Sequence, residues 1–284
     1  MSEKIIALVD GSTYSASVCE NAAWISARTG APVQLMHVIG RREGAETRDH
    51  SGAIALGART ALLNELAQLD EQRAKLTMER GRAILDDASA ILARAGVTDV
   101  TTRLRHGDIV ETMAEIEAEA RVIVIGKRGE AADFATGHLG SNLERIVRSS
   151  RKPVFIAARA FRPIAKVLVA FDGGASARKA IAHIAQSPVF QGLAVHVVTV
   201  GNASTEMTNA LDTARGTLEG AGLATESSIL PGQPETTIGK LVEDAGYDML
   251  VMGAYGHSRI RSLIIGSTTT AMIRTCKVPV VLMR

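Results

Sequence analysis

The chain has 284 residues, 32 Lys and Arg against 30 Asp and Glu, and 46% hydrophobic residues, of which few are aromatic. Balanced charge and few stacking rings argue against nucleic-acid binding. No apolar stretch approaches the roughly 18 residues of a membrane span. The residues after Met1 enter a strand without a leader pattern, and Cys19 and Cys276 have neither metal nor disulfide spacing, so a cytoplasmic protein with reduced core thiols is expected. The seven histidines include no HExxH or HxxxH pair, so no metal site is expected.

In chain order, Ile5 to Val9 reads as a buried strand and Ser15 to Thr29 as an amphipathic helix closed by Gly30. Further strands are predicted over Pro32 to Ile39, Thr98 to Leu104, Val122 to Ile125 and Val154 to Ala157, with helices near Ala83 to Ala95, Asp108 to Ala120 and Ser141 to Ser149. After the short linker Arg159 to Pro163 the string returns. Strands Val167 to Phe171, Ala194 to Val200, Ala224 to Leu230, Met249 to Met252 and Val280 to Met283 alternate with helices Ala177 to Gln186, Asn209 to Ala221, Thr236 to Ala245 and Ser267 to Thr275.

The two strings are copies. Lys4-Ile-Ile-Ala-Leu-Val-Asp10-Gly11 returns as Lys166-Val-Leu-Val-Ala-Phe-Asp172-Gly173, and the 13-residue step from Gly140 to Pro153 recurs from Gly266 to Pro279. Short apolar strands alternating with helices specify an α/β fold: two tandem doubly wound domains, residues 1–158 and 164–284, each a five-stranded parallel sheet flanked by helices. Ligands of such sheets bind beyond the carboxyl ends of the strands. The last strand, Pro279 to Met283, would be an exposed apolar edge unless it met Val154 to Ala157 in an internal pseudo-dimer, with a homodimer as the further option.

The copies differ in one long segment. Val38 to Gly107 spans 69 residues and Val200 to Gly232 only 32, an insertion at about 41–80 in the first domain. Ala58 to Arg80 contains no Gly or Pro and reads as a long helix. The favoured reading of its Leu62, Leu63, Leu66 and Leu69 is packing onto their own domain; a partner surface or a lid over the ligand mouth are the others.

The chemistry-bearing pattern follows the fourth strand of the second copy: Gly253-x2-Gly256-x9-Gly266-Ser267-Thr268. Glycine lets a phosphate approach bare backbone N–H groups, and Ser267-Thr268 opens a helix whose N-terminus favours an anion. The first copy carries Gly126-x2-Gly129-x10-Gly140-Ser141, one residue longer, and has Arg121 where the second has Asp248. Lys127, Arg128, His138, His257, Arg259 and Arg261 lie in or beside these loops and read first as solvated residues, second as phosphate partners.

Asp after the first strand, Val at the end of the second and the glycine motif after the fourth together resemble the universal stress protein family in its tandem form, over the whole chain except the insertion. The resemblance implies binding of an adenine nucleotide, ATP or AMP, with or without Mg, and an unknown protein partner. It places phosphates and ribose on Gly253, Gly256, Gly266, Ser267 and Thr268, and adenine at Asp172 and Val200. The corresponding first-copy positions are Asp10, Val38, Gly126, Gly129, Gly140 and Ser141. Asp172 also reads as a charge at a helix N-terminus. No general base or nucleophile is evident, so little or no turnover is expected. Phe171-Asp-Gly-Gly-Ala-Ser-Ala177 only faintly matches an ATP-pyrophosphatase loop, its polar groups falling at the wrong positions. A non-nucleotide interaction module, empty or holding an apolar ligand, is the alternative.

Overall fold

The structure is a computed structural model and describes residues 3–40, 56–129, 140–254 and 267–284, with side chains in the first long inserted segment described from Leu62 onward. The first half runs β1 (Lys4–Leu8), α1 (Ser15–Thr29), β2 (Val33–Ile39), α2 (Leu56–Arg94), β3 (Val100–His106), α3 (Ile109–Ile116), β4 (Ala120–Gly126), α4 (Ser141–Ser149) and β5 (Val154–Ala157). The second runs β6 (Lys166–Ala170), α5 (Ala175–Gln186), β7 (Ala194–Val200), α6 (Thr205–Gly220), β8 (Ala224–Leu230), α7 (Pro234–Asp244), β9 (Met249–Gly253), α8 (Ser267–Thr275) and β10 (Val280–Met283).

Each half is a five-stranded parallel sheet, and the two join into one ten-stranded sheet, β3-β2-β1-β4-β5-β10-β9-β6-β7-β8. The join is antiparallel, with Val280 opposite Ile156, Val281 opposite Phe155 and Leu282 opposite Val154. The last strand therefore has partners on both sides, as its apolar sequence requires. The outermost strands β3 and β8 carry Thr, Arg, Ser and Glu and are mostly exposed or half-buried, which makes poor templates for a further strand.

Two apolar layers cover the sheet. Ile5, Val124, Phe155, Val169 and Val281 face α1, α2, α5 and α6, whereas Ile6, Ile123, Ile156, Leu168 and Leu282 face α3, α4, α7 and α8. Local chemistry sets the helix ends. Gly30 closes α1 at φ 67°, Asp108 accepts from the N–H groups of Val110 and Glu111 at the start of α3, and Ser204 accepts from Met207 N at the start of α6.

Two expectations are corrected. The insertion helix and the helix after it are one continuous element, the 39-residue α2, about 58 Å long at 1.5 Å per residue. Gly81 does not break it, because a Cβ there would lie 2.7 Å from Leu104 Cδ1 and 3.1 Å from His37; its bare backbone is what lets α2 settle on β2 and β3. From that point Gly81, Leu85, Ala88 and Leu92 form the docked stripe. Packing of the upstream leucines on their own domain is overturned in part: Leu62 and Leu66 are half-buried, but Leu63 and Leu69 are 55% and 46% exposed, and Leu76 is 64% exposed. In this stretch the leucines are thus exposed or half-buried, unlike the buried Leu85, Ala88 and Leu92 downstream.

Candidate functional site

In each half the strand order reverses beside the first strand, between β1 and β4 and between β6 and β9, and the crevice at that reversal is where an open α/β sheet accepts a ligand. Several of the residues singled out in the sequence lie at these strand ends. Asp172 follows β6, Val200 ends β7 and Gly253 ends β9, with β6 hydrogen-bonded to both neighbours. Asp10, Val38 and Gly126 repeat this at β1, β2 and β4.

The strand ends are held in register by side chains that the sequence does not single out. Thr199 Oγ1 donates to the Phe171 carbonyl at 2.8 Å, and His37 Nδ1 lies 2.8 Å from the Val9 carbonyl. Both residues directly precede the Val of the motif, and both tie the second strand to the residue before the Asp. A hydrogen-bonding residue at this one position in both copies is the signal that could have revealed them.

Each Asp organises the turn into the next helix. Asp172 Oδ1 accepts from Gly174 N at 2.8 Å, and Asp10 Oδ1 accepts from Ser12 N at 3.0 Å and from Ser15 Oγ. The intervening Gly173 and Gly11 have φ of 72° and 77°, left-handed values that favour glycine. The turn is covered by α6 in one half and α2 in the other, with Met207 beside Gly173 and Ile84 beside Gly11.

The first glycine of each motif has a packing role. A Cβ on Gly253 would lie 2.9 Å from Ser176 Cβ, and one on Gly126 would lie 2.7 Å from Tyr14 Cβ. Only a bare backbone lets the fourth strand end against the helix that follows the Asp, which brings the Asp turn and the glycine loop together. In the first half the two described ends of the loop lie side by side: a Cβ on Gly140 would lie 3.7 Å from Gly129 N, and one on Gly129 would lie 2.9 Å from Asp10 Oδ2. Asp10, Gly126, Gly129, Gly140 and Ser141 thus share one crevice.

In the second half Ser267 is exposed at the start of α8, while Thr268 Oγ1 donates to Glu235 Oε1 at 3.0 Å. Thr269, buried and outside the sequence motif, reaches the Gly253 carbonyl at 3.4 Å and joins α8 to the end of β9. Gly256 and Gly266, together with His138, His257, Arg259 and Arg261, lie outside the described residues.

Lys127 departs from its expected exposure. It is only 8% exposed and its Nζ donates to the Cys276 carbonyl just past α8, so the lysine of the first-half loop fastens that loop to the second half. Burial pushes its ammonium down to about 8. Both cysteines are free and buried; burial drives the Cys19 thiol up to about 12 and raises that of Cys276, so neither is a ready nucleophile. Among the described residues no group of three His, Cys, Asp or Glu can hold a metal ion, and no helix is long and apolar enough to cross a membrane.

Comparison with known proteins agrees with this fold. The universal stress protein family profile matches residues 1–158 and 163–284. The universal stress protein Slr1230 of Synechocystis sp. is 37% identical over 286 residues, covering 99% of this chain and all of that one. The universal stress protein Rv2005c of Mycobacterium tuberculosis is 27% identical over 72% of this chain and 77% of its own length. The crystal structure of a universal stress protein from Archaeoglobus fulgidus superposes with a TM-score of 0.75 at 20% identity, covering 100% of this chain and 99% of that one. With family matches in both halves and a full-length relative above the level at which homology is secure, this chain belongs to the universal stress protein family.

Proposed function

We propose that the protein is a cytoplasmic stress-response regulator that binds an adenine nucleotide, ATP or AMP, in at least its C-terminal crevice, with little or no turnover. The observation that carries this reading is the meeting of an Asp-organised turn, a strand-ending glycine and the N-terminus of a helix at the point of strand reversal. Backbone N–H groups and a helix N-terminus are suited to phosphate. The Asp172 carboxylate and the end of β7 are suited to a base with an exocyclic amine. The first half favours a weaker site or none, since its loop is one residue longer and its lysine is drawn away to Cys276.

Occupancy would act by linkage. A ligand at about 100 times its Kd stabilises the form that binds it by about 2.7 kcal/mol, and any partner reading that form senses the nucleotide.

The test is to denature the purified protein, identify any released nucleotide by mass spectrometry, and titrate ATP and AMP calorimetrically into nucleotide-free protein. One nucleotide per chain, with affinity lowered about tenfold or more by Asp172→Ala and unchanged by Asp10→Ala, is the expected result. Two per chain would make the N-terminal crevice functional as well. No binding of either nucleotide by wild type would overturn the reading in favour of a non-nucleotide interaction module.

A further inference from the structure

Arg121, at the amino end of β4, is one of the few places where the two copies carry opposite charges. Its counterpart Asp248 has a clear structural role, because Asp248 Oδ2 accepts the N–H groups of Ala165 and Lys166, each at 2.9 Å. A guanidinium cannot accept, so Arg121 does not inherit that role. Instead it lines a cavity of about 310 Å³ on the seam between the halves, and its Nε is buried with no hydrogen-bond partner among the described residues. A buried donor without a partner is costly and rare in folded proteins, so it marks a place where a partner is missing.

The cavity lining combines two kinds of side chain. Ile25, Phe155, Val189, Phe190, Val281 and Met283 give it an apolar lining. The charged or titratable groups that line it are Arg121, Lys152, His183 and Glu3. Lys152 Nζ sits 2.9 Å from Glu3 Oε1, and this hydrogen bond holds the Glu3 carboxyl below its ordinary range. Burial, followed by the charge of Arg121, pushes His183 down, which keeps it neutral near pH 7. Two cations therefore face one anion. The lining thus carries a net positive charge among apolar side chains, and the cavity volume is at the small end of the range for small-molecule sites.

We propose that this seam cavity binds a small amphipathic carboxylate, an apolar chain whose carboxylate is taken by Arg121 with Lys152 beside it. A carboxylate is an acceptor of the kind that Arg121 Nε lacks and can be held by a guanidinium through paired charge-assisted bonds. The chain lies on apolar side chains contributed by both halves, so occupancy fastens one half to the other. The site is separate from the nucleotide crevices: none of Asp10, Val38, Gly126, Asp172, Val200 or Gly253 is among the residues that line it. Neither site depends on the other being filled.

The chain's single tryptophan is placed to report binding. Trp24 adjoins Ile25 on α1, and Arg28 lies over its ring with 5.3 Å to the centroid. Arg28 Nε also donates to the Val189 carbonyl at 2.6 Å, on the cavity wall.

The probe is decanoate, titrated into full-length protein and followed by Trp24 fluorescence and calorimetry, with decanol as the neutral chain of equal length. The expected result is one decanoate per chain and decanol at least about tenfold weaker. Arg121→Gln should weaken decanoate about tenfold or more while leaving its melting temperature near wild type, and ATP should not displace it. Should Arg121→Gln fail to fold, Lys152→Gln serves in its place, with weakened decanoate again expected. Absence of saturable decanoate binding, equal affinity for decanol, unchanged affinity in the charge variants, or displacement by ATP would each overturn the proposal. Because ATP binding is read separately on the same samples, failure here is distinguishable from failure of the nucleotide reading.

Discussion

The two copies meet the same architectural demands with different residues, and the helix that covers the Asp turn shows this most clearly. In the second half that helix is α6, 16 residues long and docked through Leu211, Ala214 and Leu218. In the first half it is the last stretch of α2, docked through Leu85, Ala88 and Leu92, but continuous with an upstream stretch in which Leu63, Leu69 and Leu76 are exposed. One helix thus contains both a structural part shared with the other copy and a part the other copy never had. Helical propensity runs through both; only the docked part is anchored by burial.

The sharpest way to break that comparison is to truncate one leucine from each part. Leu92→Ala, at a site with 0% exposure, should cost about 3 kcal/mol in chemical denaturation. Leu76→Ala, at 64% exposure, should change stability by less than about 0.5 kcal/mol. Equal losses would mean the upstream stretch is covered in solution.

A second contrast concerns Lys127, whose counterpart is Ala254. Its ammonium is pushed down to about 8 in the fold, against about 10.4 in an unfolded chain. Between those values this lysine binds more protons in the unfolded state than in the folded state, so its contribution to stability should rise with pH, by about 3 kcal/mol in all, while the raised buried thiols act in the opposite direction. Lys127→Met should make the slope between pH 8 and pH 10 less positive than that of wild type, measured by urea denaturation. A variant with the same slope as wild type would place the proton elsewhere.

The smallest effect should come from Asp248. Asp248→Ala leaves the N–H groups of Ala165 and Lys166 without their carboxylate, but these bonds are exposed and water replaces it, so a loss of about 1 kcal/mol is expected in thermal denaturation.

The sequence carried the tandem architecture because the strands are near-continuous apolar runs and the copies preserve their spacing. Helices α1, α4 and α8 and strands β5, β7, β8 and β10 have the ends that the sequence predicts. The continuity of α2 was hidden because glycine is read as punctuation, and only the sheet beneath Gly81 shows that it is there for close approach. The exposure of Leu63, Leu69 and Leu76 was equally hidden, since a leucine stripe looks the same whether or not a domain lies under it. The crevice residues were visible as a motif. The ties from Thr199, His37 and Thr269 were not, because a hydroxyl or imidazole in a strand or helix has no distinctive spacing. Arg121 stands out in the sequence as a departure between the copies, but its environment spans both halves and exists only after folding.

The antiparallel meeting of β5 and β10 also bears on how such a chain can diversify. In an assembly of two identical subunits every substitution appears twice, related by the two-fold axis, so a cation introduced near the axis meets its own image. With both copies on one polypeptide a substitution occurs once. Pairing is also intramolecular and independent of cellular abundance. A basic side chain can then stand on one side of the seam and a carboxylate on the other, as Arg121 and Asp248 do, and each copy is free to drift toward a separate role without loss of the join between them.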